Sequence, residues 1–495
     1  MHVCRPLNVV TPTEALDRLA AARPSHIAFV GKQEIWTYRH LANEVERVGR
    51  ALAAYGVRPG DRVALHMANV PLLAASYLGC LRTGAIACPL GIRLKTAELR
   101  PLLQRLQPKL YIGEAETYAH VAGIDPTWTS IVGGLTEEGT DWRENAGERP
   151  AARTVEVEEL AVLLHTSGTT GKPKFVTHTL TTLTAAADSW KHLGLGKAGV
   201  ALHCLPMVHA SGLFTFLACI MFGVPMVLLE RFDPDAVLDA IEVHRCDWLL
   251  GLPFMFHALL QRQKEHPRKT DSLRMCVTAG DVCPAEIQQE FPHLFGVPLR
   301  SFWASTETVG LTFCQRFGAV SRPMPGTQIR LVDDKGAPVP RGEAGELLLR
   351  SASLSVGYWE GPAQFEPLTS DGWFHTGDVM RQGEEDEIWF VSRKKDLIVR
   401  GGSNISPIEI ETVLLSHPEV QDAAVFGVPD AILGQRIAAV LQVYGDADAL
   451  VLKRILDSAS NQLADYKMPE TVKVVSTIPR NALGKIDRKL LPALL

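Results

Sequence analysis

HTSGTTGKPK, residues 165–174, is the stretch whose reading decides the fold. It packs hydroxyl residues, two glycines and two lysines into one short run. The apolar run AVLLH (161–165) leads into it and reads as a buried strand. A Ser/Thr/Gly loop leaving such a strand exposes backbone N–H groups and hydroxyls that can wrap a phosphate. Lys172 and Lys174 add fixed positive charge. A Walker A loop needs four residues between its glycines and then Lys-Ser/Thr. Gly168 and Gly171 are separated by two, and Pro173 follows Lys172, so this is not one. Alone, the stretch reads equally well as a surface loop.

Working outward, apolar strand-like runs alternate with helical stretches over the first 300 residues or so. Candidate strands are RVALHM (62–67), AIACPL (85–90), KLYI (109–112), VALHCL (200–205), PMVLL (225–229), DWLLG (247–251) and MCVTAG (275–280). Residues 70–84 read as a helix. Thr11, Pro12 and Glu14 open the first helix with a capping box. This alternation predicts an α/β fold, a large N-terminal domain of layered, largely parallel sheets. After about residue 325, short strands joined by Gly and Asp turns (TQIRLVDDKG, GELLLRSAS, EIWFVSRKKD) predict a β-rich subdomain over about 325–392. Residues 395–495 carry their own strand and helix pattern, enough for a small α+β domain. The predicted division is 1–394 and 395–495, with the basic cluster SRKKD (392–396) as linker.

Bulk composition narrows the function classes. Of 495 residues, 46% are hydrophobic and 21% charged, as in a globular protein with a sizeable core. A formal net charge of −5 gives no support for nucleic acid or an anionic membrane as main partner. The nine cysteines are odd in number and contain no C-x-x-C, so neither a disulfide framework nor a zinc ribbon is indicated. Their apolar settings suggest buried thiols in a reducing, cytoplasmic compartment. The N-terminus carries too short an apolar run for a signal peptide. The uncharged stretch at 212–229 imitates a membrane span, but Gly223, Val224 and Pro225 interrupt it. A buried helix ending at Phe222 and a buried strand from Met226 fit better.

GLGKAG (194–199) fits the dinucleotide fingerprint only as letters. It follows a helix and precedes a strand, the reverse of the required order. Other pieces agree with the phosphate reading. WASTET (303–308) sets Thr306 beside Glu307, a hydroxyl and a carboxylate able to contact a phosphate and hold magnesium. WFHTGD (373–378) ends in Asp378 after a glycine, in a turn, where a carboxylate can accept both hydroxyls of a ribose. RGGSNISPIEIE (400–411) sets two glycines before a helix, and PRNALGKIDR (479–488) places Lys485 in a tail loop.

Taken together, in this order and spacing, these motifs resemble the adenylate-forming superfamily: acyl- and aryl-CoA synthetases, peptide-synthetase adenylation domains and luciferases. WTYRHL (36–41), LRTGAIACPL (81–90), GELLLRS (345–351), GYW (357–359) and HPEVQDAAVFGVPD (417–430) extend the resemblance over almost the whole chain. It implies an ATP- and magnesium-dependent enzyme that forms an acyl-adenylate and passes the acyl group to a thiol. By that pattern Thr166, Ser167, Gly168, Thr169, Thr170, Gly171, Lys172 and Lys174 wrap the β- and γ-phosphates. Thr306 contacts the α-phosphate, Glu307 the magnesium, and Trp303 stacks on adenine where the family usually has Tyr. Asp378 and Arg393 bind the ribose. Lys485 bridges the carboxylate and the α-phosphate. Lys395 is the hinge of a mobile C-terminal domain, and Gly401 and Gly402 line the thiol channel. His209 falls near the substrate carboxylate. Phe175 and Ser392 stand where the family often has glycine.

The resemblance also bears on the acid. Amino-acid-activating members carry an Asp after the position of His209, to pair with the substrate ammonium. Here it is Ala210, so an ammonium would be buried without a partner. A plain aromatic or medium-chain fatty acid is expected, in a pocket lined by His209, Ala210, Ser211, Gly212, Phe214, Ala279, Gly280, Asp281, Trp303, Val309, Gly310 and Leu311. The acceptor is coenzyme A, or alternatively the phosphopantetheine of an acyl carrier protein. The remaining alternative is a nucleotide-binding protein without catalysis.

Overall fold

A computed structural model describes residues 10–495 of the chain other than 33, 125–127, 134–140, 145–157, 167–173, 315, 319, 362–363, 401–402, 431, 446–447 and 482–484. The chain divides into two units, Met1–Gln328 with Arg350–Phe374, and Ile329–Leu349 with His375–Leu495.

The first unit is built on two sheets. In one, the strands run in the order Leu299–Ser301, Met275–Thr278, Trp248–Gly251, Ala201–His203, Met226–Leu228, Ile27–Val30 and Ile35–Thr37. All neighbours in it are parallel except the last pair. Helices between successive strands make the crossovers that a parallel sheet requires. The second sheet places Arg62–His66, Ile86–Pro89, Leu110–Gly113 and Thr129–Val132 in parallel, with Leu160–Thr166 beside Ile86–Pro89. From there its character changes. Lys174–Thr179, Gly357–Gly361 and Gln364–Pro367 continue it antiparallel. The expectation of largely parallel sheets therefore needs correcting at this edge. The seven residues 167–173 are too few for the crossover that two parallel strands would need, and the flanking strands pair antiparallel.

Local signals are realised where they were read. Thr11 and Glu14 form the capping box of Pro12–Ala22. The membrane-like stretch is the helix Ala210–Phe222, stopped by Gly223 in the left-handed region (φ 67°), followed by the strand Met226–Leu228. Among the described residues no helix is long and apolar enough to cross a membrane. Cys80, Cys88, Cys204, Cys219, Cys246, Cys276 and Cys283 are buried free thiols.

The strands Ile388–Arg393, Phe374–Gln382, Ala344–Arg350 and Gln328–Val332, which belong to the second unit except for Phe374, Arg350 and Gln328 at their ends, lie side by side in that order. A further sheet pairs Val420–Asp430 with Gly434–Val443, which also pairs with Ile398–Arg400 and Thr471–Val474, and Ser403–Ile405 pairs with Ile398–Arg400. Pro407–Leu415 and Ala449–Ser460 cover it, and Ile410, Leu414, Val425, Ala439 and Ile455 form its core. The helix Ala449–Ser460 ends before Tyr466, which lies in a short 3-10 turn. Lys395 sits on another short 3-10 turn, Lys394–Asp396, inside this second unit.

Candidate active site

The hairpin Leu160–Thr166 and Lys174–Thr179 closes on the cross-strand pair Thr166 and Lys174. Ser167, Gly168, Thr169, Thr170, Gly171 and Lys172 lie outside the described residues. The returning strand alternates faces with a period of two. Phe175 points to one side, buried against the Arg105 guanidinium at 5.4 Å and sharing a core with Leu163 and Trp359. This explains an aromatic where the family often has glycine. Lys174, Val176 and His178 point to the other side, where Tyr358 lies directly opposite Val176.

That face positions the Ser-Thr-Glu segment. His178 Nε2 lies 2.9 Å from the carbonyl oxygen of Thr306, 128 residues away in sequence. Burial pushes the His178 imidazole down to about 4, so it is neutral at pH 7 and its Nε2–H can donate to that carbonyl. Serines fix the other side. Ser355 N–H donates to the Glu307 carbonyl at 2.7 Å, and Val309 N–H donates to Ser353 Oγ at 3.0 Å. Thr308 Oγ1 lies 2.8 Å from Ser351 Oγ. The Glu307 carboxylate accepts from Tyr358 O–H at 3.0 Å, and Lys174 Nζ sits over the Tyr358 ring, 4.1 Å from its centroid. Trp303 is half-buried, its backbone N–H donating to Ser321 Oγ at 2.9 Å.

His209 is the N-cap of the helix Ala210–Phe222, in extended conformation and with no side-chain cap. Its ring meets that of His165, centroids 6.2 Å apart. The residues before it are tied down by Asn69, which donates to the Leu205 carbonyl at 2.7 Å and accepts from Met207 N–H at 2.8 Å. Tyr77 O–H donates to the Met207 carbonyl at 2.8 Å. Of the expected pocket residues, Ala210 and Ser211 are half-buried beside His209, while Gly212, Ala279, Val309, Gly310 and Leu311 are buried. Phe214 is a core residue, edge-on to Trp190 and His178. Gly280 and Asp281 are exposed, and Asp281 Oδ1 accepts the N–H of Val282.

In the second unit, Asp378 and Arg393 are register partners on adjacent antiparallel strands, with Arg393 Nε 2.8 Å from Asp378 Oδ1. Asp378 thus lies inside a strand and not in the expected turn. Gly377, at φ 69°, marks a kink within the strand instead of a chain reversal. Ser392, in place of the family glycine, is fully buried. Lys395 is exposed; its neighbour Lys394 pairs with Glu346 and Asp334, each at 3.0 Å. Gly401 and Gly402 lie outside the described residues, and the strand Ser403–Ile405 intervenes before the helix they were expected to precede. Lys485 is half-buried in a tail loop pinned by a bridge between Arg480 and Ile486. Asn481 N–H donates to the Lys485 carbonyl at 2.8 Å, and Arg488 donates to Glu411 at 2.8 Å.

Among the described residues no group of three or more His, Cys, Asp or Glu could hold a metal ion. The donor set still fits magnesium, which is held by one or two carboxylates together with phosphate oxygens and water. Glu307 would be that carboxylate. His178, Ser353 and Tyr358 were given no role from sequence. The signal for His178 was its shared strand face with Lys174; Tyr358 stood in the GYW match.

Comparison with known proteins agrees with this architecture. Residues 16–359 match the AMP-binding enzyme family and residues 409–485 the AMP-binding enzyme C-terminal domain. The indoleacetate–CoA ligase of Aromatoleum aromaticum is 30% identical, covering 96% of each chain. The medium-chain fatty-acid–CoA ligase of Escherichia coli is also 30% identical, over 95% of this chain and 88% of its own. The crystal structure of the anthranilate CoA ligase AuaEII with anthranoyl-AMP superposes with a TM-score of 0.89 at 26% identity, over 99% of this chain and 98% of that one. The chain belongs to the AMP-binding enzymes, within the adenylate-forming superfamily.

Proposed function

We propose that the protein is an AMP-forming acid–CoA ligase acting on an aromatic or medium-chain fatty acid. A carboxylate oxygen attacks the α-phosphorus of ATP and pyrophosphate leaves, giving acyl-AMP. The thiol sulfur of coenzyme A then attacks the acyl carbon, its proton is lost, and AMP leaves. A carboxylate and a triphosphate repel each other, so the first step needs cations placed before reaction. Magnesium, held by Glu307, supplies charge neutralisation when bound. Lys174 and the 166–172 loop hold the β- and γ-phosphates, Thr306 the α-phosphate, and the Asp378–Arg393 pair the ribose. Lys485 holds both reacting oxygens, which combines orientation with charge stabilisation. Lys395 is the pivot by which the C-terminal residues exchange Lys485 for the 401–402 loop before thioester formation.

The observation that carries this reading is His178 Nε2 at 2.9 Å from the Thr306 carbonyl. It ties the Thr306–Glu307 pair to the strand Lys174–Thr179, which supports reading the two distant motifs as one site. Ala210 beside His209 favours an acid without an α-ammonium group. Matches to ligases named for indoleacetate and for medium-chain fatty acids support both acid classes. Free buried thiols are consistent with a cytoplasmic enzyme.

ATP–pyrophosphate exchange across benzoates, arylacetates and alkanoates tests the reading, followed by thioester formation with coenzyme A. Acid-dependent exchange and a coenzyme A thioester are expected. Exchange without any acid would contradict it; transfer only to a carrier-protein phosphopantetheine would replace the acceptor.

A further inference from the structure

Tyr358 touches two groups of opposite charge. Its hydroxyl donates to Glu307 Oε1 at 3.0 Å, and Lys174 Nζ stands over its ring at 4.1 Å from the centroid. Sheet register explains the arrangement. Tyr358 is opposite Val176, so Lys174, two residues along the same face, is its diagonal neighbour and within reach of a long side chain. Without the ring, an ammonium and a carboxylate converging on one place would form an ion pair. That pair would neutralise a phosphate-binding cation and occupy a metal-binding anion together. Among the described residues no Lys174–Glu307 ion pair forms; each group contacts a different part of Tyr358. The phenol O–H occupies one oxygen of Glu307 and leaves the second for another ligand.

We infer that Tyr358 is a positioning residue that keeps Lys174 and Glu307 apart and aims each at its own part of magnesium·ATP. This rests on the reading of Glu307 as the magnesium carboxylate and Lys174 as a phosphate cation. Tyr358 does so by two separable contacts, a hydrogen bond and a cation–π contact. Removing the first should disturb the metal alone. Removing both should disturb the metal and the phosphates.

The test is calorimetric ATP binding to the full chain without acid, with and without magnesium. The parent, Glu307→Gln, Tyr358→Phe and Tyr358→Leu are compared, each checked for an unchanged thermal midpoint. Magnesium should tighten ATP binding to the parent, and Glu307→Gln should abolish that gain. Tyr358→Phe should lose about tenfold of the gain while its magnesium-free affinity stays within about twofold. Tyr358→Leu should lose the gain and also weaken magnesium-free binding, as Lys174 pairs with Glu307. A purely structural role would weaken both conditions equally in Tyr358→Phe, and that result overturns the proposal. So does a full magnesium gain in Tyr358→Phe while Glu307→Gln has lost it. A full gain in Glu307→Gln overturns the underlying metal assignment instead. If Tyr358→Leu unfolds, Tyr358→Phe alone still decides between these outcomes.

Discussion

Asp378 and Arg393 face each other across two antiparallel strands, with the carboxylate 1% exposed and the guanidinium 40% exposed. Arg393 therefore covers a buried charge as well as reaching outward, and the two roles can be separated. Arg393→Ala takes the guanidinium from the buried Asp378 and should cost about 1.5–3 kcal/mol in urea unfolding. Asp378→Asn removes the charge but keeps the shape. It should cost less stability and raise the KM for ATP about tenfold, with little change in the KM for the acid. Equal effects on both substrates would contradict a ribose role.

The histidine behind the Ser-Thr-Glu segment makes stability depend on pH. His178 is held at about 4 by burial, against about 6.5 in the unfolded chain. Below 6.5 the unfolded chain takes up a proton that the folded chain refuses. Its contribution is thus fully present above pH 6.5 and is lost as pH falls towards 4. Between pH 7 and pH 5 the parent should lose about 2 kcal/mol more than His178→Asn in urea titrations. Identical losses would mean that the imidazole is accessible to protons in the folded state.

The segment before His209 depends on a buried amide and on a close approach. A Cβ on Gly212 would lie 2.2 Å from the Pro206 carbonyl oxygen, so Gly212→Ala must push residues 205–208 away. A cost of about 1–3 kcal/mol is expected. Asn69→Leu leaves the Met207 N–H and Leu205 carbonyl without Asn69, at a similar cost of about 1–3 kcal/mol. Both should raise the KM for the acid and leave ATP affinity within about twofold. A rise confined to ATP would show that this segment serves the nucleotide.

Much of this was legible because it is local. Thr11 and Glu14 are three residues apart, Gly223 stops the apolar helix at its own position, and the strand–helix alternation predicts the parallel sheets. What escaped is set by packing between segments far apart in sequence. His178 meets Thr306 across 128 residues, and Tyr358 meets Glu307 across 51. No pattern within a window shows which distant segments pack on Thr306 and Glu307, so neither contact could be read beforehand. Asp378 was misplaced for a related reason. A Gly-Asp pair signals a turn locally, whereas here cross-strand pairing with Arg393 holds it in a strand.

The central claim is that Lys485 acts in acyl-AMP formation and not in thioester formation. Lys485→Ala should be assayed twice, by acid-dependent ATP–pyrophosphate exchange and by thioester formation from supplied acyl-AMP and coenzyme A. The account predicts a loss of about 10²–10³ in the first and near-parent rates in the second. Undiminished exchange, or an equal loss in both assays, would contradict it.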